Sequence, residues 1–300
     1  MKYYIILFLK GMGMGVANVI PGVSGGTIAL ITEIYEDLIT SLKSFDRNAF
    51  KLFFSLKIKE FVKYTNFYFL ASVFLGSIVS VFTIASLFEY LFSEYPILIW
   101  AFFFGLILAS IIFVGKRVEN WNMQSILALI FGTIVAFSLS LATPATENSN
   151  LLFVFICGII GISGMMLPGL SGSYILILLG NYKLLMVTAI TELNIPLLTT
   201  FFLGSIFGLM CFSHLLSWIL KEYKNATLAL LTGFILGSLK IIWPWKKITE
   251  SLIIDGNEKV ISYNIILPST LDSDTISAIV FAIVGFIIVY FLEDFSKRIS

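Results

Sequence analysis

A single histidine, His214, and two cysteines, Cys157 and Cys211, in 300 residues leave little material for a metal centre or a disulfide framework. Both cysteines sit in apolar runs with no spaced His or Cys partner, so each reads as a small core residue. Charge is also scarce. Asp, Glu, Lys and Arg make up 12% of the chain and sum to +1, which leaves no basic field for nucleic acid. No nucleophile stands with a base, and Glu36-Asp37 is the one acidic pair close to a candidate site; Asp272 and Asp274 read as solvated. Covalent catalysis therefore lacks its parts, and no cofactor is expected. The apolar run that follows Lys2 reaches Pro21 without an A-x-A cleavage site, so no removed signal peptide is expected.

What is abundant is apolar. Hydrophobic residues are 58% of the chain and mean hydropathy is +0.99, far above soluble domains. An all-α polytopic membrane protein follows. Within it Pro21-Gly22-Val23-Ser24-Gly25-Gly26 returns as Pro168-Gly169-Leu170-Ser171-Gly172-Ser173, at an offset of 147 residues (168 − 21). At that offset Gly11 falls on Gly158, Tyr35 on Tyr182 and Leu38 on Leu185. Each copy interrupts a hydrophobic run with helix breakers, which at membrane depth is tolerated where backbone faces protein or a wet cavity. Each is expected to turn a hairpin of two partial helices, the second running from Thr27 to about Ile39 in the first copy and from Tyr174 to Ile190 in the second.

Lys43 to Lys63 differs in kind. Lys43, Arg47, Lys51, Lys57, Lys59 and Lys63 alternate there with Phe45, Phe50, Phe53, Phe54, Ile58 and Phe61, which suits a basic amphipathic helix at the lipid interface, either a solvated connector or a lipid contact. Crossings are expected at about 67–92, 97–115 and 125–141, and again at 196–220, 227–243 and 276–292. Leu75-Gly76-Ser77-Ile78 recurs as Leu203-Gly204-Ser205-Ile206, and the run from Gly105 to Ser110 as Gly233 to Ser238, both at an offset of 128 (203 − 75). The drop of 19 (147 − 128) is about the length of the basic insert. The chain thus divides into a first repeat, 1–142 with the insert 43–63, and a second, 151–300.

If each hairpin enters and leaves by one face, each half crosses three times, and an odd number inverts the second half. Charge supports this. With a cytoplasmic N-terminus the outside holds Lys183, Lys240, Lys246, Lys247 and Lys259, leaving 14 of the 19 basic residues inside (19 − 5). Both termini are then cytoplasmic.

Partial helices meeting in the bilayer present N–H groups and a positive dipole end, suited to an anion such as phosphate or carboxylate. Asn18, Pro21, Gly22, Ser24, Gly25, Gly26 and Thr27 form one candidate site; Pro168, Gly169, Ser171, Gly172 and Ser173 form the other. Ser24 is placed to cap its helix. Close packing of small residues is the alternative. The two copies, Gly15 to Thr27 and Met166 to Ser173, resemble the bacterial polyprenyl-phosphate (undecaprenyl-phosphate) transporter family, long catalogued only as a domain of unknown function. The resemblance covers nearly the whole chain. It implies a flippase in the cytoplasmic membrane that returns the lipid carrier of cell-wall synthesis to the inner leaflet, with polyprenyl phosphate and membrane phospholipids as its partners. The second copy departs at three positions, where Gly26 becomes Ser173, Thr27 becomes Tyr174 and Asn18 becomes Met165.

Four ionisable residues remain as auxiliary candidates. Glu33, seven residues beyond Gly26 and so about two turns along the same helix face, is placed to carry a coupling proton or to sit at the interface. Lys183 either draws anions at the outer mouth or snorkels to the interface. His214 reads as a hydrogen-bonded core residue or a proton relay. Arg117, with Lys116, marks the cytoplasmic end of a helix and lies where a departing phosphate would pass. An anion channel using opposed helix starts is the alternative function, and a lipid-phosphate phosphatase or transferase a third.

Overall fold

A computed structural model describes residues 2–19, 23–254, 257–268, 270 and 272–299. In the first half α1 (Lys2–Val19) leads to the motif, followed by α2 (Gly25–Ile31), α3 (Tyr35–Lys43), α4 (Arg47–Phe54), α5 (Ile58–Tyr64), α6 (Phe67–Glu94), α7 (Pro96–Lys116) and α8 (Met123–Leu139). The second half has α9 (Leu151–Met166), α10 (Gly172–Leu178), a π-helical turn (Leu184–Thr188), α11 (Ala189–Thr191), α12 (Ile195–Glu222) and α13 (Lys224–Ser238). An antiparallel hairpin, β1 (Lys246–Ile254) and β2 (Asn257–Ile265), precedes α14 (Ser273–Ile299). That hairpin occupies the polar stretch between the last two apolar runs, and it is the one strand pair among the described residues of an otherwise helical protein.

Local chemistry sets where these helices begin. Asn122, Asn150 and Asn194 cap α8, α9 and α12 by accepting from the N–H groups of Ser125, Leu152 and Leu197. Pro96 opens α7, where a missing N–H costs nothing. Length separates them: α7, α12 and α14 are long and apolar enough to cross a membrane, with a fourth span if α5 and the start of α6, bent by 68°, count as one. At 17 and 16 residues α8 and α9 reach about 25 Å, short of the ~30 Å hydrocarbon core.

The expected partial helices end sooner than their apolar runs. After α2 the chain turns at Glu33, which adopts φ 63°, and after α10 it turns at Gly180, with φ 76°. In both the backbone closes the same way, Ile34 N–H on the Ala29 carbonyl and Asn181 N–H on the Leu176 carbonyl. Glu33 therefore lies in the break and not on the face of a continuing helix. The basic stretch likewise is two short helices, not one; Leu56 (φ 57°) separates α4 from α5, and Lys57 N–H closes on the Leu52 carbonyl. Phe50, Phe53, Phe54 and Ile58 stay exposed beside the cations, as an interfacial surface requires.

Packing pairs equivalent elements. The contact of α1 with α6 corresponds to that of α9 with α12, and α8 with α13 to α14 with α7. Glycines make these crossings close. A Cβ on Gly76 would run into the Phe8 carbonyl and one on Gly204 into the Phe155 carbonyl, positions related by the same offsets. Gly105 meets Ala282 as Gly233 meets Leu129, while Gly132 meets Leu230 as Gly285 meets Phe102. The last helices thus correspond at an offset of 153 (285 − 132), and the rise of 25 over 128 accommodates the β-hairpin. The core runs through both halves, with Leu7, Ile31, Ile39, Phe69, Ile107, Leu231 and Ile235 buried together. Large apolar side chains such as Phe82, Phe131, Phe202 and Phe291 face outward, far more apolar surface than a water-soluble monomer shows.

Candidate functional site

The two motifs meet each other. Ser24 Oγ donates to the Leu167 carbonyl at 3.1 Å and also lies 3.4 Å from that of Met165. In return Gly169 N–H donates to Thr27 Oγ1 at 3.0 Å, and the Tyr35 hydroxyl donates to the Met166 carbonyl at 3.0 Å. These bonds link residues that are 131 to 143 positions apart. Ser24 and Thr27 are buried, so the contact is a dry junction between the halves. Gly26 and Gly169 let the backbones approach: a Cβ on Gly26 would lie 2.9 Å from the Met166 carbonyl oxygen, and one on Gly169 2.7 Å from the backbone of Phe234 and Ile235. Gly169 also needs glycine for its φ of 81°. Pro21 and Gly22 lie outside the described residues.

The helix starts are not equivalent. In the first motif Ser24 is the N-cap, its Oγ accepting from Gly26 N–H at 3.1 Å, and Gly25 N–H donates to Asn18 Oδ1 at 2.8 Å. The N–H groups expected to await a ligand are thus engaged by side chains of the same motif. In the second motif Ser171 makes no capping bond; its hydroxyl pairs with that of Ser173 at 2.8 Å. Among the described residues no side chain accepts from Gly172 N–H, the counterpart of Gly25 N–H. The three substituted positions explain this. Met165 cannot accept as Asn18 does, and Tyr174 sends its hydroxyl to the Leu139 carbonyl at 3.0 Å instead of joining the junction as Thr27 does. Pro168 has no N–H, so it brings no backbone donor to the site.

Of the auxiliary residues, the structure brings two together. Arg117 Nη2 donates to Glu33 Oε1 at 2.9 Å and lies 3.4 Å from the Ile31 carbonyl. Lys10, absent from the expected set, donates to the Thr32 carbonyl at 2.7 Å. Both cations sit at the C-terminal end of α2, where a helix dipole favours positive charge. A lysine midway along an apolar run was the available signal. Lys116 leans over the Phe113 ring, 5.1 Å from its centroid. His214 Nδ1 lies 2.8 Å from the Met210 carbonyl one turn back along α12, and Lys183 is exposed where it leads into the π-helical turn. Neither reaches the motifs by any contact among the described residues. Asn181, also unforeseen, is fully buried and ties the 143–150 link over α10 through Asn148, donating at 2.8 Å and accepting at 2.9 Å.

Residues 14–260 match the family described as VCA0040-like, undecaprenyl phosphate translocase-like. The chain belongs to that family. It is 39% identical over 257 residues to the polyprenyl-phosphate transporter of Vibrio cholerae serotype O1, covering 86% of this chain and 83% of that protein. It is 28% identical over 256 residues to the polyprenyl-phosphate transporter of Staphylococcus aureus, covering 80% and 86%. No solved structure matches the chain. The match runs from residue 14 to residue 260 and so covers both motifs.

Proposed function

We propose that this protein moves polyprenyl phosphate across the cytoplasmic membrane, its head group passing through the junction of the two motif loops while the prenyl tail stays in lipid. The observation that carries this reading is the junction itself, where two interrupted helices from opposite halves present their motif residues to each other. An ionised phosphate in hydrocarbon faces a Born cost of order tens of kcal/mol, which fixed donors along the path offset without covalent chemistry. The junction must open to admit it. Each neutral hydrogen bond between the loops is worth about 0.5 to 1.5 kcal/mol, whereas a bond to a charged group is worth about 1.5 to 3. Gly169 N–H and the Ser24 hydroxyl therefore gain by exchanging each other's loop for a phosphate oxygen, and Gly172 N–H is a donor that no side chain among the described residues occupies.

The halves form an inverted repeat in this reading; the shared glycine crossings support the repeat, and the distribution of basic residues favours its inversion with both termini cytoplasmic. Movement from outer to inner leaflet would return the carrier for envelope synthesis, with no chemical change to the lipid. The relatives named polyprenyl-phosphate transporter support the substrate class. The deciding experiment reconstitutes the protein in liposomes with labelled polyprenyl phosphate and measures which leaflet holds the label. Translocation of intact lipid is expected. Small-anion current without lipid movement would make it a channel, and a covalent product would make it an enzyme.

A further inference from the structure

We propose that Lys10 and Arg117 form a second anion site, at the cytoplasmic mouth, for the phosphate monoester head group, and that Glu33 fills it as an internal stand-in when no lipid is bound. This rests on the transporter reading and its orientation, and adds a docking step distinct from the motif loops.

Three observations converge on it. First, the two cations lie on separate helices, α1 and α7, yet both reach the carbonyls that end α2, Lys10 at Thr32 and Arg117 at Ile31. Those carbonyls are weak, neutral acceptors that park the cations without neutralising them. Second, among the described residues the one carboxylate in ion-pair contact with Arg117 is Glu33, and the pair is accessible, with side chains 28% and 31% exposed. Asp37, which also bears electrostatically on Lys10, is exposed on α3. A guanidinium fork fits carboxylate and phosphate alike, so Glu33 holds the place that a phosphate oxygen takes.

Third, Glu33 occupies a left-handed backbone position, φ 63°, whose counterpart in the second half is Gly180 at φ 76°. Glycine adopts that conformation without cost, and a side chain there, as also at Leu56 and Leu193, is held against backbone preference. Of these residues Glu33 is the one that carries a charge, and from this position its carboxylate contacts Arg117. Ligand replacement follows simply. A dianionic or monoanionic phosphate outcompetes a single carboxylate for two cations, the freed Glu33 turns outward to solvent, and the α2–α3 turn loses the tether that binds it to the end of α7.

The test measures binding of farnesyl phosphate, with inorganic phosphate as the second probe, to the purified full-length protein in detergent by titration calorimetry. Glu33→Gln and Glu33→Gly should each bind farnesyl phosphate several-fold more tightly, because the internal competitor is gone. Arg117→Gln and Lys10→Gln should each weaken it on the order of tenfold or more, the loss expected for a charge-assisted bond. These opposite directions separate the site from a structural latch, in which all four variants would lower the melting temperature and leave affinity unchanged. That result would overturn the proposal and leave the transporter reading intact. Equal affinity for inorganic phosphate and farnesyl phosphate would reassign the site to free phosphate. Failure of the wild type to bind either probe would sink both readings.

Discussion

At the scale of single residues, the junction distinguishes atoms that bind from atoms that make room. Ser171→Ala removes a hydroxyl that bonds only Ser173 among the described residues, so transport should weaken by roughly tenfold at most. Gly172→Val is different: even its Cβ would lie 2.6 Å from the Gly161 carbonyl oxygen, a backbone atom that cannot turn aside. Transport by Gly172→Val should be lost, as measured in the liposome assay on variants that remain monodisperse. Thr27→Val keeps shape but strands the buried Gly169 N–H, which should lower stability by about 1 to 3 kcal/mol in a denaturant titration, with no such loss for Ser171→Ala.

Lys246 makes a pH prediction at the same scale. It lies 3.5 Å above the Trp100 ring and donates to the Ile241 carbonyl, outside the spans, and burial pulls its ammonium down to about 7 from the usual 10.5. The unfolded chain therefore binds the proton more readily than the folded one between those values. Stability should rise with pH through about 7 to 10.5, by at most about 1.4 kcal/mol per unit, and fall away toward the lower end. Melting temperatures across that window test it. Lys246→Met should flatten the dependence; an unchanged slope would assign it to another group.

At the scale of elements, the glycine crossings predict that equivalent helix pairs fail alike. A methyl group on Gly105 would strike the Ala282 carbonyl as one on Gly233 would strike that of Leu129, forcing α7 from α14 and α13 from α8. Gly105→Ala and Gly233→Ala should each cost about 1 to 3 kcal/mol, while Gly115→Ala, whose Cβ would meet only ordinary contacts at 3.8 and 3.9 Å, should cost little. Unfolding in mixed micelles compares the three. The breaks after α2 and α10 belong to this scale as well: both helices are seven residues long, and each is followed by a residue of positive φ that ends it.

At the scale of the whole molecule, the proposed inversion of the second half predicts sidedness. Single cysteines at 150 and 257, in a chain whose Cys157 and Cys211 have been replaced, should react with an impermeant maleimide only from outside, and cysteines in 43–63 only from the cytoplasm. Labelling of 150 and 257 from the cytoplasm would reject the inversion. What the chain alone determined is local and periodic. Apolar runs, Pro and Gly breakers and Asn caps mark most helix starts, because these depend on a few neighbouring residues. The duplicated motif was equally legible, since both copies keep the same residue types at one offset. Partners were not. That Ser24 reaches Leu167, that Thr27 serves Gly169, that Glu33 leaves its helix to meet Arg117 and that Lys246 lies over Trp100 were decided only by tertiary structure. A hydrogen bond or an ion pair spanning roughly 80 to 140 residues is set by how the helices pack, and sequence spacing carries no record of that distance.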